Sequence, residues 1–171
     1  FLMNALKAFD LKDLSLCGHS MGGLIALDMI LNHRFAAKEV ILVNSIYPTR
    51  VADALLAKAR AGNGDAANFI IKYGLYRRLL GMRNAFSEAD DLVMLDDLDA
   101  CNSYELDLNN LKNLEISISI ILGSKDRLVD SKAVEHFTDI VPSHTYTMDE
   151  VGHFSFFEDP VELSRIISEI V

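Results

Sequence analysis

Residues 16–23 read LCGHSMGG, with Ser20 set between Gly18 and Gly22 and a further glycine at position 23. A serine hydroxyl is a weak nucleophile until a neighbouring imidazole takes its proton, and that imidazole is normally oriented by a carboxylate. Glycines around the serine fit a sharp strand-to-helix turn in which two backbones pass closely. A Cβ at either flanking position is expected to clash, and the serine is forced into a strained conformation that turns its oxygen outward. The flanks agree with this reading. Leu14–Cys17 reads as a short buried strand, and Leu24–Asn32 is apolar and long enough for a helix. The phosphate-loop pattern G-x-x-x-x-G-K-S/T and the dinucleotide pattern G-x-G-x-x-G are both absent.

Five histidines compete for the role of base. His19 lies inside the turn, but its side chain should leave in a different direction from that of Ser20. His33 ends the following helix, His136 falls mid-helix and His144 sits in a polar loop, so these four read as surface or satisfied core residues. His153 follows Gly152 directly after the last apolar strand, in DEVGHFSFFEDP. For the carboxylate, ILGSKDRLVD puts Asp126 just beyond another apolar strand. Asp130 is the rival, although its place before Ser131–Phe137 suits a helix N-cap. Asp149 and Glu150 remain alternatives, although they lie too close to His153 in sequence for an easy approach.

The elements that must position these residues alternate along the chain. A helix end at Phe1–Phe9 leads to the strand before Ser20, then a helix, then the apolar run Val40–Asn44. Such a continuous run suits a parallel strand covered on both faces. Ala52, Leu55, Leu56 and Ala59 fall at helical spacing until Gly62-Asn63-Gly64 breaks the pattern. Phe69, Ile70, Tyr73 and Leu80 suggest a second helix. Ser87, with Asp90 three residues on, resembles the N-cap of a third that carries Leu92, Leu95 and Leu98. Ile116–Leu122 and Tyr146–Met148 return to strand, and Leu163, Ile166, Ile167 and Ile170 mark a final helix beginning near Pro160. The fold class is therefore α/β: a parallel sheet of about four strands in chain order, with flanking helices. A helical insertion caps the carboxyl edge of the sheet, where ligands bind in such folds. The expected parts are a core segment at 1–46, the cap at 47–110 and the remaining core at 111–171. Tyr47, Phe69, Tyr73 and Tyr76 are candidates to line an apolar pocket.

Three segments, LSLCGHSMGG, SISIILGSKDRLVD and DEVGHFSFFEDPVELSRII, resemble the nucleophile, acid and histidine segments of the α/β-hydrolase superfamily. LDDLDACNSYEL resembles the stretch by which its caps return to the sheet. The G-H-S-M-G form is similar to that of small, capped, cofactor-free members: carboxylesterases, thioesterases, C–C bond hydrolases and proline iminopeptidases. The resemblance implies Ser20 as nucleophile, His153 as base and then acid, Asp126 as orienting carboxylate and the Met21 N–H as an oxyanion donor, with no cofactor and no metal. It implies hydrolysis of a small ester or thioester. A C–C bond or N-terminal proline substrate is the alternative, and an idle, hydrolase-like partner protein is a reading from another class.

Members of that superfamily carry strands ahead of the nucleophile strand, and a loop there supplies a second oxyanion N–H. None is visible upstream of Leu14. The chain taken alone is thus expected to be catalytically weak and to cover its open sheet edge with a missing N-terminal half or a second copy. The net charge of −9 argues against nucleic acid and anionic membranes as partners. The basic cluster Arg77, Arg78 and Arg83 reads as a solvated helix face. Two cysteines, Cys17 and Cys101, are expected as reduced thiols in a cytoplasmic protein. No apolar run approaches the roughly 20 residues of a membrane span.

Overall fold

The computed structural model describes Leu6, residues 13–77 and residues 90–171. Four strands, β1 (Ser15–His19), β2 (Glu39–Val43), β3 (Ser117–Gly123) and β4 (His144–Met148), form one parallel sheet in the order β1-β2-β3-β4. The helices with both ends among the described residues are α1 (Met21–Leu31), α2 (Asp53–Ala61), α3 (Asp65–Gly74), α4 (Asp91–Ser103), α5 (Leu108–Lys112), α6 (Ser131–Ile140), α7 (Ser155–Glu158) and α8 (Pro160–Ile170).

Alternation along the strands sends apolar side chains to both faces of the sheet. Val40, Leu42, Ile118 and Ile120 pack against Leu27 and Ile30 of α1, Leu111 of α5 and Phe137 of α6. Ile41, Ile121 and Met148 pack on the opposite face against Leu163 and Ile166 of α8. The crossover helices thus share one face, as right-handed connections between neighbouring parallel strands require. Phe137 is fully buried, which contributes about 1.5–3 kcal/mol at the usual transfer coefficient. Pro160 starts α8 in its first turn, and the Asp159 carboxylate caps it by accepting from the Glu162 N–H at 3.1 Å.

The first strand departs from its expected burial. Ser15 and Cys17 of β1 are exposed. Cys17 pairs in register with Ile41 and so lies on the face that α8 covers. The apolar stripe of α8 reaches Ile41, Ile121 and Met148 but not β1, which leaves Cys17 open. His144 begins β4 rather than lying in a loop.

Between β2 and β3, helices α2, α3 and α4 form a small core of their own around Leu55, Ala59 and Ala66, with Phe69, Ile70, Leu95 and Leu98 packed on it. Gly62 and Gly64 both adopt left-handed φ, 66° and 76°, and turn the chain between α2 and α3. Helix α4 is capped by Asp90, whose carboxylate accepts from the Leu92 N–H at 2.8 Å. Leu92 itself is 69% exposed, because the buried seam runs through Met94, Leu95 and Leu98. Ser87, Leu80, Arg78, Arg83 and all of Phe1–Phe9 except Leu6 lie outside the described residues. Among the described residues no helix is long and apolar enough to cross a membrane.

Candidate active site

The turn at the end of β1 holds Ser20 at φ 52°, ψ −122°, a region that costs a non-glycine residue about 1–3 kcal/mol. The surrounding backbone fixes it there: the Ser20 N–H donates to the Val43 carbonyl at 3.0 Å, and the Ser20 carbonyl accepts from the Gly23 N–H at 3.0 Å and from Ser45 Oγ at 2.6 Å. A Cβ on Gly18 would run into the Gly22 backbone, and one on Gly23 would run into the Ser45 side chain. At Gly22 the expectation of a clash is corrected. A Cβ there meets nothing within 4 Å among the described residues, because Gly22 sits on the outer side of the first turn of α1.

Ser20 Oγ lies 3.1 Å from His153 Nε2, and His153 Nδ1 lies 2.9 Å from Asp126 Oδ2. The three residues are brought together from the ends of β1, β3 and β4. His153 and Asp126 side chains are only 7% and 3% exposed. Since Asp126 accepts at Nδ1, that nitrogen carries the proton and Nε2 is left with its lone pair toward the serine. Asp126 Oδ1 accepts from the Leu128 and Val129 N–H groups at 2.8 and 3.2 Å, and Oδ2 also accepts from Asn44 Nδ2 at 3.0 Å. Burial alone would raise the Asp126 carboxyl, but the His153 hydrogen bond and charge, the Leu128 N–H and the Asn44 amide outweigh it and hold it below the ordinary value.

The competing carboxylates are engaged elsewhere. Asp130 caps α6 through the Lys132 N–H at 3.0 Å. Asp149 accepts from Ser124 Oγ and from the Glu150 N–H. The Met21 N–H heads α1, where the first helical donors have no partner within the helix, and Met21 borders a cavity of about 1160 Å³. Ser20, His153, Phe69 and Tyr73 border the same cavity, with the Phe69 and Tyr73 rings 4.4 Å apart.

Two of the aromatic candidates do not line it. Tyr47 turns into the sheet core, where its hydroxyl accepts from the Leu106 N–H at 3.0 Å and its ring meets Tyr104 edge-on. Tyr76 lies just past α3 and is 44% exposed, with Lys125 over its ring at 5.9 Å. Its position follows from the end of α3 at Gly74, before the chain could carry it along the cavity wall.

Several residues around the triad escaped the sequence reading. His19 Nε2 donates to the His153 carbonyl at 2.7 Å, and the two rings lie 4.9 Å apart. Burial pushes the His19 imidazole down to about 4, against the opposing pull of its hydrogen bond to the His153 carbonyl. Asn44 is completely buried at the end of β2. Glu158, 6% exposed, accepts from the Gly152 N–H at 3.0 Å and from the Tyr76 and Arg77 N–H groups at 3.0 and 2.9 Å. The His153 N–H donates to the Gly74 carbonyl at 2.6 Å. A polar residue closing an apolar strand run was the available signal for Asn44; nothing local pointed to Glu158. Among the described residues no group of three or more His, Cys, Asp or Glu side chains could hold a metal ion.

The chain matches the Alpha/beta hydrolase family over residues 2–166. No curated protein matches it. Among solved structures it is similar to an esterase from Exiguobacterium antarcticum, with a TM-score of 0.86 at 18% identity over 99% of this chain and 70% of that one. A thermophilic esterase gives the same TM-score at 22% identity, with 98% and 68% of the two chains covered. A 2-hydroxy-6-oxo-6-phenylhexa-2,4-dienoate hydrolase from Rhodococcus sp. gives 0.79 at 16% identity, covering 98% and 67%.

Proposed function

Because the chain belongs to the alpha/beta hydrolase family, we propose that it is a serine hydrolase cleaving a small carboxylic ester or thioester through an acyl-enzyme on Ser20. The observation that carries this reading is the continuous run of hydrogen bonds from Ser20 Oγ through His153 to Asp126 at the wall of a cavity.

Ser20 Oγ attacks the substrate carbonyl while its proton passes to His153 Nε2. The carbonyl oxygen becomes an oxyanion and accepts from the Met21 N–H. The imidazolium, balanced by Asp126, gives its proton to the departing alcohol or thiol as the carbonyl re-forms. Water then repeats the sequence against the acyl-enzyme: His153 removes its proton, the acid leaves, and Ser20 recovers its hydrogen. Phe69 and Tyr73 hold the apolar part of the substrate against the wall formed by α3.

A fluorophosphonate probe and a panel of short-chain esters and thioesters test the reading. Covalent labelling at Ser20 is expected, together with hydrolysis that Ser20→Ala lowers by about 10⁶-fold in kcat. Equal hydrolysis by the wild type and Ser20→Ala would remove Ser20 from the chemistry.

A further inference from the structure

Asn44 closes β2 with φ 46°, in the left-handed region, and has no exposed surface. Asparagine tolerates this conformation better than most residues. The consequence is an amide aimed across the carboxyl edge of the sheet, at the two loops that carry Asp126 and His153. Its Nδ2 donates to Asp126 Oδ2 at 3.0 Å and to the Gly152 carbonyl at 3.1 Å. Its Oδ1 accepts from Ser155 Oγ at 2.5 Å. That last bond sets the orientation of the amide, since a hydroxyl that donates must face the oxygen and not the nitrogen. The backbone is tied as well, through the Asn44 N–H on the Ile121 carbonyl at 2.8 Å.

We propose that Asn44 is a positioning residue, which holds the Asp126 carboxylate and the His153 loop in register so that one carboxylate oxygen serves the imidazole. The proposal rests on the serine hydrolase reading given above. Asp126 Oδ2 receives two donors, His153 Nδ1 and Asn44 Nδ2, and Oδ1 is occupied by two backbone N–H groups. The carboxylate therefore cannot rotate without breaking several bonds. The second bond of the amide, to Gly152, fixes the residue immediately before His153. Acid and base are thus referenced to a single rigid group on a third strand. Ser155, four bonds away from Ser20 along this network, keeps that group from flipping.

The test is the rate of fluorophosphonate labelling across the pH range, which needs no knowledge of the substrate. The titratable groups facing the His153 ring are Asp126 and His19, with Glu158 acting through the Gly152 N–H. Asn44→Gly keeps the backbone conformation comfortable while deleting the amide. Its labelling rate is expected to fall about 10- to 100-fold, the usual effect of displacing a catalytic group by around an ångström. Asn44→Asp keeps the shape, and a fully buried carboxyl set between two acceptors, Asp126 and the Gly152 carbonyl, holds a proton that it can donate to Asp126 in place of the amide. Relative to the wild type at the same pH, its labelling should therefore stay well above that of Asn44→Gly at low pH and fall toward it as pH rises and that proton is lost. Ser155→Ala should lower the rate by less than Asn44→Gly and serves if that variant does not fold, as judged by circular dichroism. Unchanged rates in all three variants would overturn the proposal. So would an Asn44→Asp labelling rate that stays in constant ratio to the wild type and no faster than that of Asn44→Gly across the pH range, which would leave Asn44 a packing role only. A wild type that is not labelled at Ser20 would overturn the hydrolase reading and this proposal together.

Discussion

Replacing His19 with glutamine should flatten the dependence of stability on pH between about 6.5 and about 4, and the size of the effect follows from where the ring sits. In the folded chain burial holds this imidazole down to about 4, against an ordinary value of 6.5. Between those two values the unfolded chain binds a proton that the folded chain refuses. Stability is therefore fully present above 6.5 and is lost as pH falls toward 4. At about 1.4 kcal/mol per pH unit, a separation of about 2.5 amounts to roughly 3 kcal/mol. The ring is only partly buried, so solvent screening brings this nearer 2 kcal/mol. Glutamine cannot titrate but retains an N–H to donate to the His153 carbonyl. Urea unfolding of both proteins at several pH values is the assay. With an m-value of about 2 kcal/mol/M, the wild-type midpoint should fall by about 1 M more than that of His19→Gln over the window. Asp126, held below its ordinary 3.8, titrates outside the window and cancels in the comparison. Parallel curves would refute a desolvated, neutral His19.

Asp126→Asn should lower kcat by about 10⁴, as loss of the orienting carboxylate does in serine hydrolases, while Asp130→Ala should leave kcat nearly intact and cost about 1 kcal/mol of helix capping. Steady-state kinetics and thermal melts of the two variants separate these effects, and equal kinetic damage would show that the roles are misassigned. Gly18→Ala should destabilise by at least about 1–3 kcal/mol through collision with the Gly22 backbone. Gly22→Ala should be neutral or stabilising by up to about 1 kcal/mol, as alanine replaces glycine in a helix. Denaturation midpoints that move together for the two glycines would contradict the asymmetry of the turn.

How much of this was legible in the chain depends on the range over which each feature is encoded. The order of the sheet was readable because apolar runs such as Val40–Val43 and Ile118–Leu122 announce strands, and the handedness of crossovers leaves few arrangements for four of them. The meeting of Ser20, Asp126 and His153 was readable because each follows such a run and all parallel strands end on the same side. The burial of Cys17 was misread because a short apolar run does not say how far a covering helix extends, and α8 stops short of β1. Tyr47 was misread for a similar reason. One position after Ile46 its side chain turns into the core, and spacing alone cannot distinguish the core from the cavity. Asn44 and Glu158 act through hydrogen bonds to residues as far as 111 positions away. No local pattern carries that information.

The bonds from Glu158 to the Tyr76 and Arg77 N–H groups, with that from the His153 N–H to the Gly74 carbonyl, bear on how this scaffold can be recombined. Helix α3 supplies Phe69 and Tyr73 to the cavity, so it is the natural part to exchange when a different pocket is wanted. Its C-terminal end, however, together with Tyr76 and Arg77 beyond it, also anchors the backbone around His153, the proposed general base. A graft that ends before Gly74 carries new pocket walls onto an undisturbed histidine. One that extends through Arg77 replaces half of the joint that holds His153, and it must bring a compatible partner for Glu158 or leave a buried carboxylate short of donors. On the proposed function, the boundary between specificity and catalysis therefore falls at the C-terminal end of α3, at Gly74.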